Sequence, residues 1–326
     1  MSLESLTDNS HSAADVATQP TKAARGPFVA GVDLGGTKLL AGIADSTGRL
    51  MVRRSEPTLH GGNGRVIQQI ATLVCQLMSE CGVADDALSQ LVIGVPGVVS
   101  PQTGLASLSP NLALPQDQPL ATLVRAELNA PVAVENDVNL SAFGEAKAGV
   151  GKDLESLAFV SFGTGVGMGL VIDGKLIRGA EGRAGEIGYV PVGAEPHRDA
   201  PHSENGLYED AVGTAGIKRR FLKPDETVAD LFARAEAGDA PSQAAIAAIA
   251  ADAATGIASI HALVDPAVTV IGGGIGSHPR FISYLIKSVG PLLPFPCRIE
   301  PSLFGAEAGL MGALMFAAKL SNENQN

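Results

Sequence analysis

The chain has 326 residues, of which 45% are hydrophobic, with 39 Gly, 20 Pro and no Trp, a composition typical of a folded α/β protein. Its formal net charge of −11 would repel nucleic acids and anionic membranes at long range, so we expect neither as a partner. Cys75, Cys81 and Cys297 have neither the number nor the spacing of a disulfide framework or a zinc site, which suits a reducing compartment.

The N-terminal residues 1–27 are small and polar and lack the pattern of a secretory signal, so a disordered tail is expected. The longest apolar stretch that we noted, residues 156–172, contains four glycines, and we predict no membrane span. A chain of this length exceeds the usual size of a single core, which favours two domains.

Two segments share one plan of strand, glycine turn and strand. VAGVDLGGTKLLAGIAD, in residues 29–45, aligns with LAFVSFGTGVGMGLVID, in residues 157–173. The similarity predicts a duplicated βαβ-type domain in which each copy presents a glycine-rich hairpin to one central cleft. The alternative is two unrelated hairpins.

Between and after these hairpins, apolar periodicity and Gly or Pro stops predict the remaining elements. The strand that ends before Glu135-Asn136-Asp137 delivers this polar triplet to its carboxyl end, where α/β sheets place chemistry. The predicted helices cover 66–80, 120–128, 213–221, 228–237, 241–263, 279–288 and 308–319, the strands cover 91–95, 132–134 and 267–271, and 178–201 is irregular.

The first glycine turn reads Asp33-Leu-Gly35-Gly36-Thr37-Lys38. Its glycines let backbone N–H groups approach an anion, and a hydroxyl and an ammonium stand beside them, so a phosphate site is predicted. It is neither a Walker loop nor GxGxxG. A structural hairpin would explain the glycines, but not a charged aspartate in an apolar strand.

Two further glycine turns have a similar character. Gly163-Thr164-Gly165 suits amide and hydroxyl contacts to phosphate oxygens. Gly273 and Gly274 follow a predicted strand and would let a nucleotide lie flat on the backbone, although a plain tight turn explains them nearly as well.

Acidic and amide side chains are candidates for binding a polyhydroxylated ligand such as a sugar. Asp137 can take a proton from a sugar hydroxyl, and Asn136 offers both a donor and an acceptor; the alternative for this triplet is a helix N-cap. Asn111, Glu186 and Glu209 could contact other hydroxyls, or be ordinary solvated surface groups.

Taken together, the motifs GVDLGGTK, IGVPGVV, SPNL, VENDVN, SFGTGVGMGLVIDGKL, GRAGEIG and VIGGGI resemble the ROK family (repressors, open reading frames and kinases) over residues 28 to about 318. The resemblance implies an α/β, two-domain actin-like ATPase and sugar kinase (ribonuclease H-like) fold with an interdomain cleft. We expect a small domain formed by 28–133 and 308–320, and a large one formed by 134–307.

The resemblance also implies roles for residues. Asp137 would be the catalytic base, and Asp33 would organise Mg²⁺ and the phosphates of ATP. The expected sugar-binding residues are Asn111, Asn136, Asp137, Glu186, Tyr189 and Glu209, and the expected nucleotide-binding residues are Asp33, Gly35, Gly36, Thr37, Lys38, Gly163, Thr164, Gly165, Gly273 and Gly274.

The sequence departs from the family pattern in two places. Tyr189 stands where many members have histidine, and the zinc loop CxCGxxGCxE is replaced by APHSENGLYE. His197 and His202 cannot complete a tetrahedral site alone, so no structural zinc is expected.

The predicted activity is that of a cytoplasmic, homodimeric, ATP-dependent hexokinase acting on O6 of glucose. Fructose, allose and N-acetylated or amino hexoses remain open as acceptors, and polyphosphate as donor. A sugar-sensing regulator or a non-catalytic sugar-binding protein is the alternative class.

Overall fold

The computed structural model describes residues 27–61, 64–107 and 117–324, so nearly all of the expected tail lies outside the described residues. Its two larger sheets have five strands each. The strands are β1 (Phe28–Leu34), β2 (Lys38–Asp45), β3 (Leu50–Pro57), β4 (Leu88–Val95), β5 (Val98–Val99), β6 (Ala106–Ser107), β7 (Val132–Asn136), β8 (Ser156–Phe162), β9 (Val166–Ile172), β10 (Lys175–Leu176), β11 (Thr269–Gly272) and β12 (Ile299–Pro301). The helices are α1 (Arg65–Glu80), α2 (Leu120–Glu127), α3 (Asp137–Ala148), α4 (Pro196–Asp199), α5 (Leu207–Val212), α6 (Thr214–Phe221), α7 (Val228–Glu236), α8 (Ala240–Val264), α9 (Gly273–Gly276), α10 (Pro279–Val289) and α11 (Ala308–Glu323).

The two larger sheets have the same topology. The first sheet has the order β3-β2-β1-β4-β7, and the second has the order β10-β9-β8-β11-β12. In each, an antiparallel three-stranded meander is followed by two strands that pair in parallel. The glycine turns occupy equivalent positions, between β1 and β2 and between β8 and β9, which agrees with the duplication predicted from the repeated segment.

Each sheet has its own main core. Apolar residues of α1 and α2 cover one face of the first sheet, and those of α8 and α10 cover one face of the second. The remaining faces are covered by α3 and α11, which cross each other at two glycines. A methyl group added to Gly144 would lie 2.9 Å from the backbone nitrogen of Gly312, so the two helices are as close there as their backbones permit.

Helix α3 and strand β3 were missed from the sequence. Every residue from Asn139 to Glu145 in α3 is buried, because the helix lies against both sheets and α11, and a helix buried all round shows no amphipathic period. Strand β3 alternates partly buried and exposed residues at a sheet edge and reads LMVRRSEP, which contains few of the β-branched residues that usually indicate a strand.

One helix in the described part of the chain, α8, is long and apolar enough to cross a membrane by length and composition. The apolar stretch at residues 156–172 instead forms β8 and β9. Half of the most apolar window of α8 is buried within the protein. The hydroxyl of the buried Tyr208 donates a hydrogen bond to the carbonyl of Ala253 in α8, at 2.7 Å. Helix α8 therefore packs within the core of the second sheet.

Candidate active site

The first glycine turn places Asp33 next to the start of α11. A methyl group added to Gly309 would lie 2.7 Å from an oxygen of the Asp33 carboxylate. Burial, followed by the negative charge of Asp137, raises the pKa of Asp33 to about 7, against a smaller lowering by Lys38. The turn itself is closed by a hydrogen bond from Gly35 N–H to the Lys38 carbonyl, at 2.9 Å.

The carboxyl end of β7 carries the proposed base. Asn136 caps α3, since its Oδ1 accepts from Asn139 N–H at 2.8 Å while its Nδ2 donates to the Gly97 carbonyl at 2.8 Å. Asp137 is the first residue of α3, and its carboxylate accepts from Val138 N–H at 2.9 Å. Burial raises its pKa. Asn136, and not Asp137, is therefore the N-cap of α3.

Glu186 and Glu209 come to the same place from the second sheet. Burial first, then the charges of Glu209 and Asp137, raises the pKa of Glu186. Burial also raises the pKa of Glu209, whose carboxylate accepts from Val166 N–H at 2.9 Å. The charge of Asp137 acts on both Asp33 and Glu186, and that of Glu209 acts on Glu186. We therefore describe Asp33, Asp137, Glu186 and Glu209 together as one acidic cluster.

A cavity of about 520 Å³ lies beside this cluster, in the part of the molecule that contains the second sheet. Its floor includes the turn residues Gly163 and Thr164 and the residue Gly274. A methyl group added to Gly163 would be 3.7 Å from the backbone nitrogen of Gly274, so two of the predicted glycine turns are adjacent. The other lining residues are Thr214, Val228, Ala229, Phe232, Ala233, Glu236, Ile275 and His278.

Several of these lining residues were not predicted. The Thr214 hydroxyl donates to the Gly163 carbonyl at 2.9 Å and so ties α6 to the glycine turn. The rings of Phe232 and His278 lie 4.2 Å apart, and His278 Nε2 is 3.0 Å from a carboxylate oxygen of Glu236. The residues come from α6, from α7 and from the N-cap position of α10 and share no motif, so only the folded chain identifies them.

Three predicted site residues have side chains that are more exposed than the carboxylates of the acidic cluster. Tyr189 is half exposed, at the end of a turn that begins at Ile187. Thr37 and Lys38 are exposed at the tip of the β1–β2 hairpin. Asn111 lies outside the described residues, so its predicted contact with the sugar stays a prediction.

The segment that replaces the zinc loop is held by hydrogen bonds. The Ser203 hydroxyl donates to a carboxylate oxygen of Asp210 at 2.6 Å and accepts from Gly206 N–H at 2.9 Å. In residues 27–61, 64–107 and 117–324 no group of three or more His, Cys, Asp or Glu side chains is arranged to hold a metal ion. Ser203 and Asp210 therefore fix the segment just before α5, which carries Glu209.

Comparison with known proteins identifies the relatives of this chain. The model described as "ROK family" matches residues 29–320. A "Beta-glucoside kinase" from Listeria monocytogenes is 28% identical over 301 residues, which cover 91% of this chain and 99% of that protein.

Two solved structures have the same fold. A ROK hexokinase from Thermus thermophilus superposes with a TM-score of 0.78 at 29% identity, covering 91% of this chain and 99% of its own. A ROK family glucokinase from Streptomyces griseus, in complex with glucose and AMPPNP, has a TM-score of 0.77 at 25% identity and covers 90% and 99%. This chain therefore shares its fold with a protein whose structure contains a sugar and an ATP analogue.

Proposed function

The chain belongs to the ROK family and is one of its sugar kinases, and on that premise we propose that it transfers the γ-phosphoryl group of ATP to O6 of a hexose. Glucose is the first candidate acceptor. The observation that carries the proposal is the acidic cluster of Asp33, Asp137, Glu186 and Glu209, gathered from both sheets beside a cavity lined by glycine backbone.

The donor side of the site suits a nucleotide. The N–H groups of Gly35 and Gly163 close their own turns. The other backbone N–H groups of these turns and of the turn at Gly274 can approach phosphate oxygens because no side chain intervenes. The 520 Å³ cavity with the Phe232 and His278 rings can take the base and ribose, for which a polyphosphate donor would have no use.

The residues also fit the Mg²⁺ that accompanies ATP. Asp33 is a partly buried carboxylate whose pKa is raised by burial and by Asp137, and hard cations are bound by such oxygen ligands together with phosphates and water. When bound, Mg²⁺ neutralises charge that develops on the transferring phosphoryl group.

The acceptor side requires donors and acceptors for several hydroxyl groups. Glu186, Glu209 and the free hydrogen-bonding capacity of Asn136 supply them, with Asn111 and Tyr189 as further proposed contacts. In the reaction, the sugar oxygen attacks the γ-phosphorus as the bond to ADP breaks. Asp137 accepts the hydroxyl proton, and the raised pKa of this carboxyl makes it a better proton acceptor than an ordinary aspartate.

The proposal predicts release of ADP that depends on both a sugar and ATP. A coupled assay would compare glucose, mannose, fructose, allose, N-acetylglucosamine, N-acetylmannosamine, glucosamine and a β-glucoside, each with ATP and with polyphosphate. One hexose with ATP as donor is the expected best pair. No turnover with any sugar would favour a non-catalytic sugar-binding protein, and specific binding to operator DNA would favour a regulator.

The remaining assignments belong to the same proposal. The small domain would comprise 28–133 with 308–320, and the large domain 134–307. The protein would act in the cytoplasm as a homodimer, without a structural zinc. Size-exclusion chromatography with light scattering tests the dimer, and elemental analysis of the purified chain tests the zinc.

A further inference from the structure

The segment of residues 178–186, here called the acceptor loop, links the end of β10 to Glu186. Backbone hydrogen bonds attach both of its ends to β9 of the second sheet: Ile177 N–H donates to the Leu170 carbonyl at 2.8 Å, and Met168 N–H donates to the Gly185 carbonyl at 3.0 Å. By chain connection and by these bonds the loop belongs to the part of the molecule that contains the second sheet, here called the second half. The first half is the part that contains the first sheet.

The middle of the acceptor loop nevertheless contacts the first half. Gln102, which follows β5, donates from Nε2 to the Ala180 carbonyl at 2.5 Å. Gly182 has a φ of +77° and lies against the carbonyl of Val99, where an added methyl group would overlap with that oxygen. The loop therefore bridges the two halves over its own length.

Within the described residues, Arg178 makes the only ion pair between the acceptor loop and the first half of the molecule. Its Nε lies 2.5 Å from a carboxylate oxygen of Glu135, whose side chain is 7% exposed. The guanidinium also lies over the ring of Phe316 in α11, 5.6 Å from its centre. Arg178, which follows β10, thus contacts both the carboxyl end of β7 and α11.

Glu135 also forms hydrogen bonds with residues next to Asp137, the proposed base. Its second carboxylate oxygen accepts from Asn136 N–H at 2.9 Å and from the buried Asn139 amide at 3.0 Å. Those two residues in turn form the N-cap bond of α3, which begins at Asp137. The orientation of the proposed base and that of the acceptor loop are consequently set by one carboxylate.

We propose that Arg178 is a positioning residue, which pairs with Glu135 to hold the sugar-binding carboxylate Glu186 at a fixed place relative to Asp137. This inference rests on the proposed function. Glu186 lies eight positions after Arg178 and is close enough to Asp137 for the charge of Asp137 to raise its pKa. Ion pairs with one partly exposed partner, as here, where the Arg178 side chain is 34% exposed, add little net stability, so a positioning role accounts better for these two charges.

The test uses the whole protein and steady-state kinetics with the best sugar and ATP. In R178M and in E135Q, kcat/KM for the sugar should fall by about 10²-fold, the size of effect expected when a reacting group is misplaced by about 1 Å. The KM for ATP should stay that of the unaltered enzyme, because the loop does not reach the nucleotide cavity. The matched control is K175M, since Lys175 is exposed in β10 and has no ion pair among the described residues.

The double variant R178M/E135Q separates positioning from simple stability. R178M alone leaves a buried, unpaired Glu135, whereas the double variant leaves no buried charge and should recover the melting temperature. If it still shows the low sugar kcat/KM, and R178K restores part of it, the positioning role is supported. If the double variant recovers both melting temperature and sugar kinetics, Arg178 serves only the fold and the inference is wrong.

The failure of this inference differs from failure of the proposed function. An unaltered protein that phosphorylates no sugar would reject the function, and with it the basis of the proposal. An active enzyme with R178M and E135Q kinetics equal to those of K175M would reject the positioning role alone.

Discussion

Carboxylates with little exposure occur in two regions: the acidic cluster between the sheets, here called the cleft, and the packing region of α3 near α11, here called the joint. The hydrogen bonds made by these carboxylates differ between the two regions. In the joint, Glu145 is fully buried and accepts three hydrogen bonds, from Ser302 Oγ at 2.6 Å, Val150 N–H at 2.9 Å and Phe304 N–H at 3.2 Å. In the cleft, the side-chain carboxylates of Asp33 and Glu186 accept no hydrogen bond from any residue that the structure describes.

The difference separates groups that hold the fold from groups kept for ligands. A buried charge is costly unless it is paired or hydrogen-bonded, and Glu145 meets that requirement within the chain. The carboxylates of Asp33 and Glu186 do not do so among the described residues, and those of Asp137 and Glu209 each accept from a backbone N–H. Burial raises the pKa values of all four. We infer that the sugar hydroxyls and the cation that accompanies ATP complete their environment.

The strongest test of this comparison is the substitution D137N. The amide keeps the size of the side chain but cannot accept the sugar proton, so kcat should fall by about 10²–10⁴-fold, while sugar binding measured by calorimetry is retained. D173N is the control, because Asp173 is an exposed turn residue. Near-normal turnover of D137N would remove Asp137 from its proposed role.

The matching change in the joint should act on stability. E145A removes the acceptor of three donors, and each buried donor left unpaired costs about 1–3 kcal/mol, so we expect the free energy of unfolding to fall by about 3 kcal/mol or more. Urea denaturation would measure it against E155A, whose exposed side chain should matter by less than about 0.5 kcal/mol. Equal effects of the two variants would contradict the comparison.

The pH dependence of the unaltered enzyme sharpens the comparison further. The base acts as a carboxylate, and its raised pKa means that it is protonated at a higher pH than an ordinary aspartate, whose value is 3.8. As the pH falls, kcat/KM for the sugar should therefore decline well before that value is reached. A profile that stays flat down to about pH 4 would indicate an ordinary carboxyl group.

The smallest expected effect is a gain in stability. Because the pKa of Asp137 is raised in the folded protein, its contribution to stability is full at low pH and is lost as the pH rises through that pKa. At about pH 7.5 the neutral D137N should consequently melt a few degrees higher than the unaltered protein. Calorimetry at about pH 5 should show a smaller difference, and a lower melting temperature at about pH 7.5 would contradict the expectation.

The glycine hairpins show what could be predicted well. Their repeated apolar runs correctly indicated β1–β2 and β8–β9, because strands and tight glycine turns depend on residues close in the chain. The helix predicted over 66–80 also agrees with α1, Arg65–Glu80, to within one residue. Elements with a clear apolar face were found in this way.

The interior of the candidate site was less accessible to such reasoning. Asn136 was expected to bind sugar, yet much of its amide is used by the α3 cap and by Gly97. The sequence does not indicate the roles of Thr214, Phe232 and His278. It also does not indicate the contact between Arg178 and Glu135, because these two residues are 43 positions apart in the chain. Nothing in the local sequence around these residues indicates which partner each one meets.

By itself the sequence determined the family, the α/β class, the repeated hairpin and the acidic residues from which the site is built, because each of these is encoded in residues near one another in the chain. Only the tertiary structure decided which carboxylates are satisfied within the protein and which are left for ligands. That distinction depends on the packing of α3 between two sheets, where residues distant in the chain supply, or fail to supply, the hydrogen-bond donors that a buried charge requires.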